Sequence, residues 1–277
     1  MFRHVRLVIP IVMLFAAGAA HAQTLPPDIA KSGTVTSALN ADYPPMELKD
    51  PTTGQIEGFD IDLANAMARV LHVKMAFLDG AFEAMMPALQ SHRVDMIISG
   101  LSDLPVRRAS FDFVDYIKSG AQVFTLVSDT DLKTLTDLCG KTIATSLGTS
   151  YPGIIQSWSA KHCVAAGKPA INVLTDNELS LILLDMKEGR ADAAVQGTEA
   201  VPTIVGRDPS TYRVFGTPLN SALQAMAFNK NDPQLRDAFQ SALKSVIADG
   251  QYDALLKKWN LTLSGYRTAT INAGPAP

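Results

Sequence analysis

Apolar positions recur along the chain in two alternating rhythms. Short runs rich in β-formers at 35–39, 74–78, 96–98, 122–127, 142–144, 171–174, 193–195 and 224–228 read as strands. Between them lie longer segments of helical spacing. Over 60–71, Ile61, Ala64 and Ala68 share one stripe, with Leu63, Met67 and Leu71 beside it. Helices are also predicted over 82–91 (with Pro87 awkward inside it), 150–165 and 177–188. Pro233 opens a long helix whose Leu235, Ala238, Phe239, Ala242, Leu243, Val246 and Ile247 fall on one face, and 251–259 adds a shorter one. Residues 266–277 hold turn formers and few apolar side chains, so this tail is expected to fray. Strand and helix in alternation imply an α/β fold of parallel-type sheets covered by helices.

The first residues depart from this rhythm. Arg3 and Arg6 precede the apolar run at 7–15, and Ala20-His21-Ala22 places small residues where a signal peptidase reads. Residues 1–22 are therefore expected to be a secretory signal, cleaved after Ala22, with the product in the periplasm. The apolar run is too short to span a bilayer comfortably, and no later stretch is long and apolar enough to do so.

Apolar residues make up 47% of the chain and charged ones 18%, which suits a globular product with a large core. Loss of Arg3 and Arg6 takes the formal charge from −3 to −5, which gives no support to a nucleic-acid partner. The two cysteines, Cys139 and Cys163, are read as a disulfide in an oxidising compartment rather than as a metal site. His162 adjoins one of them, but nothing nearby completes a ligand set.

In open α/β sheets, ligands sit beyond the carboxyl ends of strands. The polar stretches at 40–43, 99–107, 148–150 and 196–199 are the places to look, although periodicity alone does not bring them together. His72, His92 and His162 fall outside all four. No Ser/His/Asp arrangement or metal cluster is visible, so no catalytic residue and no cofactor is assigned.

Gly58-Phe59-Asp60-Ile61-Asp62-Leu63 resembles the signature of the polar amino-acid (family 3) solute-binding proteins of ABC transporters. Tyr43-Pro44-Pro45 lies upstream at the matching distance. Downstream come the segments at 82–89 and 94–102, then Gly189-Arg190-Ala191-Asp192, and finally Gly250-Gln251-Tyr252 with Trp259. The resemblance covers nearly all of the chain beyond the signal. It implies a type II periplasmic binding protein fold, with two α/β lobes joined by a two-strand hinge. Residues 23–119 with 220–265 would form the first lobe and 120–219 the second, which would hold both cysteines. It further implies a monomer that captures a small carboxylate ligand, an amino acid or a modified relative, and passes it to an inner-membrane ABC permease.

Carried onto this sequence, the resemblance makes Arg107 the carboxylate-binding residue. A guanidinium matches a carboxylate bidentately and stays charged at any working pH. Arg108 reads instead as a surface residue. Asp103-Leu104-Pro105 looks like a helix start, whose N–H groups would add to an anion site. Leu104 stands in place of a usual threonine and makes that rim less polar. Ser99 and Gly100 would offer a carbonyl to a ligand amine, and Ser102 a hydroxyl to the carboxylate; equally, serine and glycine form turns. Thr149 and Ser150 resemble a second-lobe loop at a helix N-terminus that is also an ordinary N-cap. Tyr43 and Phe82 match pocket walls, with core packing the alternative. Met46 replaces an aromatic and fills space.

Two positions depart from the family pattern. The aspartate that grips an α-ammonium is here Gly197. Either Glu199 replaces its charge, or the ligand lacks a free primary α-ammonium. Asn40 stands where basic-amino-acid binders often carry an acid. Some relatives on this fold are periplasmic dehydratases of prephenate-like acids, and a cleft acid such as Glu199 would serve that chemistry. A detached sensor domain is a third reading, for which the chain holds no signalling segment.

Overall fold

The computed structural model describes residues 25–275. The signal segment and its cleavage point lie outside them. A short helix α1 (Pro27–Ser32) leads into β1 (Thr34–Leu39). Strands β2 (Asp42–Tyr43), β3 (Glu47–Lys49) and β4 (Ile56–Glu57) form a small antiparallel sheet. Then follow α2 (Phe59–Val70), β5 (Lys74–Asp79), α3 (Phe82–Gln90), β6 (Met96–Ile97) and the long β7 (Phe111–Ser119). The chain crosses into β8 (Ala121–Leu126), β9 (Thr142–Ser146), α4 (Tyr151–His162), β10 (Asn172–Asp176), α5 (Leu179–Lys187), β11 (Ala193–Gly197), α6 (Val201–Arg207) and β12 (Tyr212–Phe215). It returns as β13 (Ala222–Asn229), α7 (Pro233–Ala248) and α8 (Gln251–Lys258).

Two five-stranded sheets result, ordered β5-β1-β6-β13-β7 and β10-β9-β11-β8-β12. Each is the core of one lobe, and the fold is the two-lobed α/β type. The chain passes between them at Gly120 and again at Leu219 and Asn220. There Ala121 N–H donates to Asn220 Oδ1 at 2.9 Å and Leu219 N–H to Ala121 O at 2.8 Å. The sheets are mixed rather than purely parallel: β13 runs antiparallel to β6 and β7, and β8 antiparallel to β11 and β12. A crossing strand enters each sheet from the other lobe, which reverses its direction relative to the strands built by βαβ units.

Amphipathic helices cover these sheets as the spacing predicts. Leu63, Met67 and Ala64 of α2 meet Leu235, Phe239 and Val246 of α7 in one buried cluster with Met46, Tyr116 and Tyr252. Full burial of one such side chain contributes about 1.5–3 kcal/mol. Asp232 caps α7 by accepting from the Leu235 N–H at 3.3 Å. In the second lobe Ile143, Ile155 and Val195 pack together with Cys163, which is bonded to Cys139.

Three local expectations are corrected. Residues 103–105 do not start an α-helix; a single 3-10 turn forms at Arg107–Ala109. Arg108 is not a free surface residue, since its Nε donates to Asp103 Oδ1 at 2.6 Å and its Nη2 to Gly274 O. The tail through residue 275 does not fray but packs on the first lobe. Ala269 is buried, Ile271 bridges Val114, Asn272 Nδ2 donates to Asp112 at 2.9 Å and Gly274 N–H to Asp103 at 2.7 Å.

Candidate functional site

A cleft lies between the lobes at the ends of strands from both sheets, enclosing about 540 Å³ of empty space, part of it open to solvent. Asn40, Tyr43, Phe82, Ser99, Gly100, Ser102 and Arg107 line it from the first lobe, and Thr149 and Ser150 from the second. Nine of the eleven positions singled out in the sequence thus converge. Gly197 and Glu199 do not line it; they lie directly behind Tyr43.

The carboxylate-binding candidate is placed by a tight turn after β6. Arg107 Nη1 donates to Ser102 O at 2.9 Å, and Ser102 Oγ lies 3.4 Å from Ser150 Oγ across the cleft. No acidic side chain pairs with Arg107 among the described residues' ion pairs. Burial pushes its guanidinium down to about 10, still charged at neutral pH. Ser150 sits at the N-terminus of α4 without bonding the helix through its own side chain, so its hydroxyl is left toward the cleft. Thr149 Oγ1 turns back to Ser146 O at 2.7 Å and shapes the loop.

Gly100 has φ +54°, and a Cβ there would meet Tyr43 Cε1 at 2.7 Å. The bare backbone of Gly100 thus leaves room for the tyrosine ring. Asn40 donates through Nδ2 to Gly80 O at 2.9 Å. Phe82 is partly buried and also packs on the cluster that includes Leu89 and Phe113, so wall and core packing are combined in one side chain.

Sequence reasoning missed several lining residues. Tyr151 Oη lies 2.9 Å from Tyr43 Oη, opposite lobes touching through two phenols. Glu47 and Asn177 also line the cleft, as do Asp42 and Gln196 from the polar stretches at 40–43 and 196–199. Glu47 was visible only as one acid in an apolar context after two prolines. It accepts from Ser99 Oγ at 2.6 Å and lies beside Asp60. Burial raises both carboxyls, Glu47 well above the usual carboxylate range and Asp60 to about 7. Asp60 also accepts from Tyr116 Oη at 2.8 Å and Gly100 N–H at 3.0 Å. Burial likewise raises Glu199, opposed by hydrogen bonds from Ser119, Tyr43 and Gln224. Among the described residues no cluster of His, Cys, Asp and Glu is placed to hold a metal ion.

Comparison with known proteins agrees with this architecture. The chain belongs to the bacterial extracellular solute-binding proteins, family 3, whose sequence model matches residues 35–262. It is 29% identical over 254 residues to the arginine-binding protein ArgT of Corynebacterium glutamicum, covering 91% of this chain and 82% of that one. It is 28% identical over 265 residues to the histidine-binding periplasmic protein of Escherichia coli (strain K12), covering 91% and 95%. The crystal structure of the P235GK mutant of ArgBP from T. maritima superposes with a TM-score of 0.74 at 31% identity, covering 84% of this chain and 97% of that one.

Proposed function

We propose that this protein captures a small solute bearing a carboxylate, an amino acid or a modified relative, by closing its lobes, and delivers it to an inner-membrane ABC permease. It acts as a monomer in the periplasm after cleavage behind Ala22. The observation that carries this reading is Arg107: a partly buried guanidinium at the junction of the lobes, bonded to a backbone carbonyl and matched by no acid of its own among the described ion pairs. Such a charge is costly unless an anion completes it. Ser102 and Ser150, one from each lobe, supply hydroxyl donors beside it, so an anion bound there favours the closed state. The arginine- and histidine-binding names of the relatives support an amino acid, and support a binder over the dehydratase reading.

A thermal-shift panel tests this. Free amino acids, N-modified amino acids, simple carboxylates and the corresponding carboxamides are compared. At least one carboxylate should raise the melting temperature while its carboxamide does not. Equal stabilisation by acid and amide would defeat the proposal.

A further inference from the structure

Glu199 follows β11 of the second lobe, yet three first-lobe groups hold its side chain. Tyr43 Oη of β2 and Gln224 Nε2 of β13 donate to its Oε1, the latter at 2.7 Å, and Ser119 at the end of β7 adds a third hydrogen bond. The cluster lies beside the crossing between the lobes: Gln224 Nε2 is 3.4 Å from Ser119 Oγ, and Thr198 N–H donates to Gly120 O at 2.9 Å. Tyr43 Oη also lies 2.9 Å from Tyr151 Oη of α4, so one first-lobe phenol meets two second-lobe side chains. Glu199 itself is 2% exposed and stands outside the cleft lining, so a solute in the cleft touches Tyr43 and not the acid behind it.

Gly197 makes room for this arrangement. A Cβ there would overlap Glu199 Oε1 and Tyr43 Oη, although its φ lies outside the left-handed region that favours glycine. The missing side chain therefore serves the contact and not the turn. We propose that Glu199 is a positioning residue for capture: it latches the second lobe to Tyr43 and Gln224 beside the hinge, and so sets the lobes at the spacing at which Arg107, Ser102 and Ser150 meet a solute. This rests on capture by lobe closure as read above and adds to it a residue that acts through Tyr43. A buried carboxylate is tolerated where donors satisfy it, and bonds to an ionised acceptor are about twice as strong as neutral ones. Tyr43 reaches Glu199 only while the lobes meet. The latch thus favours the closed form before any solute arrives, and affinity follows the fraction of the protein that is closed.

Small-angle scattering of the protein without solute separates a latch from a solute contact. Glu199→Ala removes the carboxylate, whereas Gly197→Ala keeps it in the sequence and displaces it, so the second variant carries the test should the first fail to fold. Both should scatter as more open than wild type, with Glu199→Gln, which keeps the acceptor without the charge, falling between. Calorimetry with the best stabiliser among the twenty L-amino acids should show affinity roughly tenfold weaker in both alanine variants, the loss of about one charge-assisted bond. Tyr43→Phe combined with Glu199→Ala should weaken binding less than the product of the two single losses, because both remove the same bond. Scattering unchanged from wild type in the alanine variants would overturn the inference, even with affinity lost, since Glu199 would then act on the solute and not on the lobes. So would fully multiplicative losses. Binding unchanged in Arg107→Ala, or no amino acid bound, would instead defeat the capture reading, and the scattering would still decide on the latch.

Discussion

Asp42 Oδ2 accepts the backbone N–H of Leu179 at 2.6 Å, joining β2 of the first lobe to the start of α5 in the second. Asp42 also lines the cleft, and this bond ties one lobe directly to the other. A hydrogen bond to a charged group contributes about 1.5–3 kcal/mol. Asp42→Ala should therefore loosen the closed form and raise the ligand dissociation rate roughly tenfold or more by the same figure. Stopped-flow release would show this, with small-angle scattering reporting a more open ligand-free protein.

The disulfide acts within one lobe. Cys139 and Cys163 are separated by 24 residues and both belong to the second-lobe core. Replacing both by serine should cost about 3 kcal/mol by the loop-closure entropy. Chemical denaturation would measure it, and ligand affinity should stay close to wild type because the bond does not cross the hinge.

The buried carboxyl of Asp60 links pH to stability. Asp60 is raised from its ordinary value to about 7 in the folded chain, chiefly by burial. Its contribution is fully present below the unfolded value near 3.8 and is lost as pH rises through about 7. Asp60→Asn removes that dependence. Relative to wild type, the variant's melting temperature should improve progressively as pH rises from 3.8 to about 7, the window set by this shift. A difference independent of pH would contradict the raised value of Asp60.

The C-terminal stretch straps the first lobe. Asp103 receives both Arg108 and the Gly274 N–H, and Asp115 accepts from Thr270 Oγ1 at 2.7 Å and Ala273 N–H at 3.2 Å. Deleting residues 266–277 should remove Thr270 and Ala273 from Asp115 and Gly274 from Asp103, and lower the melting temperature by several degrees, an effect of a few kcal/mol. Scanning calorimetry would detect it.

That strap shows where reading the sequence stops. Helices α2 and α7 were legible because their apolar residues keep strict helical spacing. Strand β7 was not, since Asp112 and Asp115 interrupt an otherwise apolar run. In the structure Asp112 is answered by Arg236 at 2.6 Å and Asn272, and Asp115 by Thr270, all more than a hundred residues away. Local pattern carries no trace of such partners. The tail looked free for the same reason. In the cleft, Arg107 and its neighbouring serines were found through motif spacing, whereas Glu47 was missed because Ser99 lies 52 residues away, and Tyr151 because its partner Tyr43 belongs to the opposite lobe. Gly197 and Glu199 were both noticed, yet only the three-dimensional arrangement shows that one makes room for the other.

The most direct measurement is calorimetric titration of wild type, Arg107→Ala and Arg107→Lys with the solute that stabilises the protein best. Loss of the bidentate contact should weaken binding ten- to a hundredfold or more in the alanine variant, with lysine recovering only part of it. Affinity unchanged in Arg107→Ala would contradict the account.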